Sequence, residues 1–177
     1  MALLDIRVLG DPILREQTRP VTEITDELRT LIDDMFETMH AAEGIGLAAP
    51  QIGRSERIAV IEIDGQRYVL INPEIIQRGA QTAKEDEGCL SIPEISGSVE
   101  RPTTVVLQAQ DIDGNTYQLE AGGLLARCIQ HEVDHLDGKL FIDYFSLLKR
   151  RSATKQWERE VSQYPNFIRK LQPQTKP

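Results

Sequence analysis

The chain has 177 residues, enough for one domain with a full core and short for two. Its ordinary apolar content, 40%, fits neither a disordered chain nor a membrane protein, and no run approaches the ~18 apolar residues of a membrane helix. A net charge of −8 argues against a general nucleic-acid coat, and two cysteines are too few for a disulfide framework, so a reducing cytoplasm is expected, with neither DNA nor a membrane as partner.

The opening MALLDIRVLGDPILREQ carries Asp5 early and lacks a basic stretch followed by a long apolar one, so it does not read as a secretory signal. Residues 25–42 place Leu28, Leu31, Ile32, Met35, Phe36 and Met39 at helical spacing, with Thr25 as cap, Asp26 and Glu27 in the first turn and Gly44 ending it. GIGLAAPQIG follows and is too rich in glycine to be regular. RIAVIEI (57–63), the turn Asp64-Gly65 and RYVLI (67–71) read as a β-hairpin, and residues 103–112, Asp113-Gly114 and 116–120 as a second. Helical periodicity returns over 123–137 through Leu124, Leu125, Cys128, Ile129 and Leu136, with Gly138 as cap. A weakly amphipathic helix is expected over 146–161. The fold class is α+β: antiparallel β-sheets packed around a central helix, with an N-terminal and a C-terminal helix. One catalytic domain is expected over 1–165, followed by a mobile tail over 166–177.

The central helix carries CIQHEVDHLDG (128–138). Positions i and i+4 share a helix face, so His131 and His135 can grip one cation, and the longer Glu132 can lean over a bound water. The bland alternative is a solvated helix face that matches the pattern by chance.

A third ligand decides between them. The histidine six residues beyond the second, used by one large class of zinc peptidases, is Phe141 here. A downstream glutamate, Glu158 or Glu160, is conceivable, but KQWEREVSQ looks solvent-facing. Cys128 fails on geometry, since a metal midway between the histidines lies ~7.5 Å further along the axis and the cysteine Cβ tilts away from it. Cys128 is therefore read as a small core residue. Cys89, in EGCLS, could supply a thiolate from outside the helix, and Gly88 leaves room for close backbone approach. Two imidazoles and a thiolate leave a fourth tetrahedral position for water, as catalytic sites do.

GIGLAAPQ (44–51), EGCLS (87–91) and QHEVDHLDG (130–138), in that order, resemble the three signature motifs of the peptide deformylase family. VLGDPILR, Asn72-Pro73 and Arg101-Pro102 also look like that family, and the resemblance covers residues 3 to about 145. It implies a hydrolase that removes the formyl group from the N-terminal formyl-methionine of nascent proteins. Metal-bound water would be activated, and Glu132 would accept its proton and deliver it to the departing amine. The Gln51 amide and the Leu90 N–H would receive charge on the formyl oxygen. Ile45 and Gly46 would line the substrate path, pairing with extended peptide like an added strand. Ile129 and His131 would form one wall of a methionine pocket. Glu87 and Arg101 would form a pair that positions the Cys89 strand. One divalent ion is implied, Fe²⁺ in the cell, with Zn²⁺, Ni²⁺ or Co²⁺ compatible with the same ligands.

The rivals are a general metallopeptidase cutting internal peptide bonds and a non-catalytic, metal-stabilised binding module. Residues 145–177 hold eight Lys/Arg against Glu158 and Glu160, a balance of +6 that leaves −14 on the rest. That segment is a candidate for weak ribosome association.

Overall fold

A computed structural model describes residues 2–173. The elements run β1 (Ile6–Arg7), α1 (Asp26–Ala41), β2 (Gly46–Ala48), β3 (Ile58–Ile63), β4 (Gln66–Arg78), β5 (Thr82–Cys89), β6 (Ile92–Pro102), β7 (Thr104–Gln110) and β8 (Thr116–Gly122). They continue with α2 (Gly123–Leu136), α3 (Leu147–Glu160) and β9 (Ile168–Arg169). The fold is α+β with antiparallel sheets, and α2 is its central helix. Among the described residues no helix is long and apolar enough to cross a membrane.

Helix α1 starts where the Thr25 hydroxyl accepts from Leu28 N, and Asp26 and Glu27 complement the helix dipole. Its end differs from expectation by one residue. Glu43, not Gly44, takes the left-handed φ of 59°, while Gly44 N donates to Met39 O and Glu43 N to His40 O. Gly44 answers a different demand: a Cβ there would sit 2.7 Å from Leu90 Cδ1.

The main sheet has the order β2-β3-β4-β7-β8, every neighbour antiparallel. Asp64 and Gly65 both take positive φ, the geometry a two-residue hairpin needs. β4 does not stop at residue 71 but continues to Arg78. Asn72 adopts φ 51° and the register shifts between Ile71 and Glu74, a bulge that takes Pro73 out of the ladder. The Asn72 amide donates to Val21 O at 2.9 Å and Gln110 Oε1 at 2.8 Å. β3 is buried on both faces: Ile58 and Val60 pack towards α1, Ala59 and Ile61 towards α2.

Between Ala126 and Leu136 no residue of α2 is exposed, which removes the solvated-face reading of its polar residues. Ala126, Ile129, Val133 and Leu136 pack on the sheet. A second two-stranded unit, β5–β6, carries the Cys89 turn and packs with Phe141, Ile142, Phe145 and α3 residues Ala153 and Trp157. Inside the segment expected as a tail, Ile168 and Arg169 pair antiparallel with Arg7 and Ile6. Residues 174–177 lie outside the described residues.

Candidate active site

Cys89 ends β5, at a register shift beside Gly88, and a two-residue turn, Leu90-Ser91, leads into β6. This throws its sulfur across to α2. Cys89 Sγ lies 3.3 Å from His135 Nε2, which is 3.2 Å from His131 Nε2, and all three donor atoms lie within 4.8 Å of one another. For a tetrahedral ion with a sulfur at ~2.3 Å and nitrogens at ~2.0–2.1 Å, the donor–donor edges would be about 3.6 and 3.3 Å. The two edges through His135 are slightly tighter and the third lies within 4.8 Å, so the donor set present fits a cation. Cys128 points elsewhere, its sulfur 4.0 Å from Ile45 O, and burial pushes its thiol well up. Glu158 and Glu160 do not join the group, and Trp157, the residue before Glu158, is the one this segment buries.

Behind the histidines sits a buried charged cluster. The Glu87 carboxylate accepts from Arg101 (Nε 2.6 Å, Nη2 2.9 Å) and Arg127 (Nη1 2.6 Å), and pairs with His131 Nδ1 at 2.9 Å. With Nδ1 engaged, His131 presents Nε2 to the donor group. Arg101 also donates to Asp134 Oδ2 at 2.9 Å, which accepts from the Tyr144 hydroxyl at 2.8 Å. Two guanidiniums thus face two carboxylates. Burial alone would raise the Glu87 pKa, but the bonds from His131 and Arg101 outweigh it and hold the group at about 2. Desolvation opposes the charged form of His131, yet Cys89 and Glu87 carry it up to about 10. His135 goes well below its ordinary value through burial and the neighbouring His131 charge.

Glu132 is 3% exposed, its Oε2 lacks a hydrogen-bond partner among the described residues, and burial pushes its carboxyl up to about 7. A buried, unengaged carboxyl poised near neutrality is suited to proton transfer. Gly46 makes room for it, since a Cβ there would lie 2.5 Å from Glu132 Oε1. The Gln51 amide has a fixed sense: Oε1 accepts from Ala48 N at 2.9 Å, so the NH₂ faces Ser91 Oγ at 3.1 Å and Cys89 Sγ at 3.6 Å.

These groups open onto a cleft of about 440 Å³ whose lining includes Ile45, Gly46, Gln51, Glu87, Gly88, Cys89, Leu90, Leu124, Cys128, His131 and Glu132. β2 forms its edge and, among the described residues, pairs only with β3. Ile129 is not brought to this surface. It lies two residues, about 200° of helix, from His131, and is wholly buried in the apolar layer between α2 and the sheet. Sequence reasoning missed Arg127, Asp134, Tyr144 and Ser91. Arg127 had a signal, because it stands four residues before His131 and so shares its helix face.

The polypeptide deformylase family model matches residues 3–151. A peptide deformylase of Alkalilimnicola ehrlichii is 51% identical over 168 residues, covering 92% of this chain and 93% of its own. One from Hydrogenovibrio crunogenus is 48% identical, covering 94% and 99%. The crystal structure of a peptide deformylase from Legionella pneumophila superposes with a TM-score of 0.87 at 42% identity, covering 92% of this chain and 97% of its own.

Proposed function

The chain belongs to the polypeptide deformylase family, and from that premise we propose that Cys89, His131 and His135 hold its catalytic cation while Glu132, Gln51 and Leu90 act on the substrate. The reaction is hydrolysis of the formyl amide at the N-terminal formyl-methionine of new proteins, giving formate and a free amine. The observation that carries the site assignment is the convergence of one sulfur and two imidazole nitrogens at the floor of a cleft beside an unengaged buried carboxyl.

When bound, the cation supplies Lewis acidity, polarising a carbonyl oxygen and drawing the pKa of water towards neutrality. Glu132 accepts the proton as water adds to the formyl carbon, and its raised pKa lets it return that proton to the amine nitrogen as the C–N bond breaks. The Gln51 amide hydrogens and the Leu90 N–H meet the charge that develops on the formyl oxygen, and losing one such donor typically costs ~10²–10³ in rate. Gln51 is pre-set for this because Ala48 N holds its carbonyl end. Extended substrate pairs along Ile45 and Gly46 on the free side of β2, and Gly88 lets it approach the β5 backbone. Such backbone pairing is indifferent to sequence, which suits an enzyme for many N-termini. The methionine side chain rests on the apolar lining that includes Ile45, Leu124 and Cys128.

The catalytic unit spans residues 1–165, with β9 of the following segment paired to β1 and reaching the cleft through Arg169. We take Fe²⁺ as the cellular ion, by likeness to the family, and the cytoplasm as the compartment, where translation supplies the substrate. The His₂Cys set accepts Zn²⁺, Ni²⁺ and Co²⁺ as well. The exposed Arg150, Arg151, Lys155 and Arg159 on α3 support weak ribosome association, which co-sedimentation at low salt unchanged by reversing these charges would rule out. Protein purified anaerobically, with its metal measured, should release formate from formyl-Met-Ala-Ser and leave internal peptide bonds and the acetylated peptide intact. Cleavage of internal bonds with the formyl peptide untouched would make it a general metallopeptidase instead.

A further inference from the structure

The C-terminal strand reaches the active site through one side chain. Arg169, on β9, lines the cleft, and its Nη1 donates to Leu90 O at 2.9 Å. The peptide group that carries this carbonyl also carries Ser91 N–H, which donates to Cys89 Sγ at 3.4 Å. A guanidinium and a sulfur therefore engage opposite ends of one amide dipole.

We propose that Arg169 is a positioning residue for the Cys89 thiolate: it fixes and polarises the Leu90–Ser91 peptide group, so that Ser91 N–H is aimed at the sulfur. This rests on the reading of Cys89 as a metal ligand. Among the described residues Arg169 forms no ion pair, so its charge is spent on no carboxylate, and the bond to Leu90 O is charge-assisted. Hydrogen bonds in series strengthen one another, and a stronger N–H···S bond steadies negative charge on sulfur.

The arm that brings Arg169 there is itself held. Ile6 and Arg7 pair with Arg169 and Ile168, Val8 N donates to Phe167 O at 2.9 Å, and Trp157 Nε1 donates to Leu9 O at 2.9 Å. Leu9 N then donates to Ser91 O at 2.9 Å. The turn between the sulfur ligand and β6 is thus gripped at two successive carbonyls by segments from both ends of the chain. It has only two residues between paired positions, Cys89 and Ile92, so a shift of its peptide plane moves the sulfur directly.

The test uses the full-length protein and its Arg169→Ala, Arg169→Lys and Cys89→Ala variants, titrated anaerobically with Co²⁺ against a chelator. Deformylation is followed on the Fe²⁺-loaded proteins. Groups that orient a metal ligand typically contribute 10–100-fold in metal affinity or activity, and one bond further out the lower end applies. Arg169→Ala should weaken Co²⁺ affinity about 10-fold, move the thiolate-to-cobalt band to longer wavelength, and lower kcat with KM unchanged. Arg169→Lys, which keeps a charged donor, should restore most of each. An unchanged band and affinity in Arg169→Ala would overturn the proposal, as would a change confined to KM or losses that follow the melting temperature alone. Cys89→Ala separates the two levels. If it retains Co²⁺ and formate release, the ligand assignment itself fails, whereas loss of both beside an Arg169→Ala variant of wild-type behaviour refutes only the role of Arg169.

Discussion

Replacing Arg101 by Ala removes three hydrogen bonds from the charged cluster behind the histidines, two to Glu87 and one to Asp134. Arg101 is 3% exposed, so the carboxylates it leaves cannot simply turn to water. Breaking a buried ion pair from one side costs about 3–5 kcal/mol. Glu87 keeps Arg127 and His131 and Asp134 keeps Tyr144, which puts the loss near the lower end, about 3 kcal/mol. In a domain of this size that lowers the melting temperature by roughly 6–12 °C. The loss also has a pH signature. The folded Glu87 pKa of about 2 lies below its ordinary 4.5, so its contribution is complete above pH 4.5 and disappears as the pH falls towards 2. The shift corresponds to about 3 kcal/mol. Without Arg101 the folded pKa rises, less stability is left to lose, and the gap between wild type and variant narrows across that interval. Thermal melts by circular dichroism, on both proteins stripped of metal so that ligand protonation does not enter, read this directly. A gap under about 2 °C at pH 7, or one that stays constant down to pH 2, would refute the reasoning. The metal-binding counterpart is a 10–100-fold weaker affinity, measured by chelator competition.

Glu132→Gln should keep the fold and a full complement of metal while formate release falls by about 10²–10⁴-fold, because it removes the proton carrier and no ligand. Metal lost along with activity would make Glu132 a structural or ligating group. Gly46→Ala places a methyl 2.5 Å from Glu132 Oε1, so the carboxyl must move. Formate release should drop at least tenfold, a 1 Å misplacement being worth up to ~10², with the melting temperature within about 4 °C, and undiminished turnover would show that Glu132 tolerates displacement.

What the sequence made legible were the parts where one physical pattern dominates. His131 and His135 declare themselves by helical spacing, α1 by its apolar stripe and Thr25 cap, and the β3–β4 turn by Asp64-Gly65. The β5–β6 unit was only partly visible, for a physical reason. On β6 the inward positions alternate as expected of a strand, but they hold Ile95, Gly97, Val99 and Arg101, so polarity does not follow burial. On β5 the one buried position is Glu87, a charge that is affordable only because Arg101, Arg127 and His131 meet it from other elements. Arg127 shares the face of His131, but its partners Glu87, Val99 and Ala83 all come from other elements, so its role was not legible. Asn72-Pro73 looks like a strand end, because proline breaks a ladder, yet a bulge at Asn72 carries the strand past it. Ile129 shows the opposite error. The family resemblance suggested a wall shared with His131, whereas the helix turns the two onto different faces and leaves Ile129 wholly buried.

The account depends on Cys89, His131 and His135 sharing one cation. X-ray absorption at the metal edge, on protein loaded anaerobically with Zn²⁺, should show one sulfur at about 2.3 Å and two imidazole nitrogens at about 2.0–2.1 Å. A coordination sphere of nitrogen and oxygen alone, with no sulfur, would contradict it.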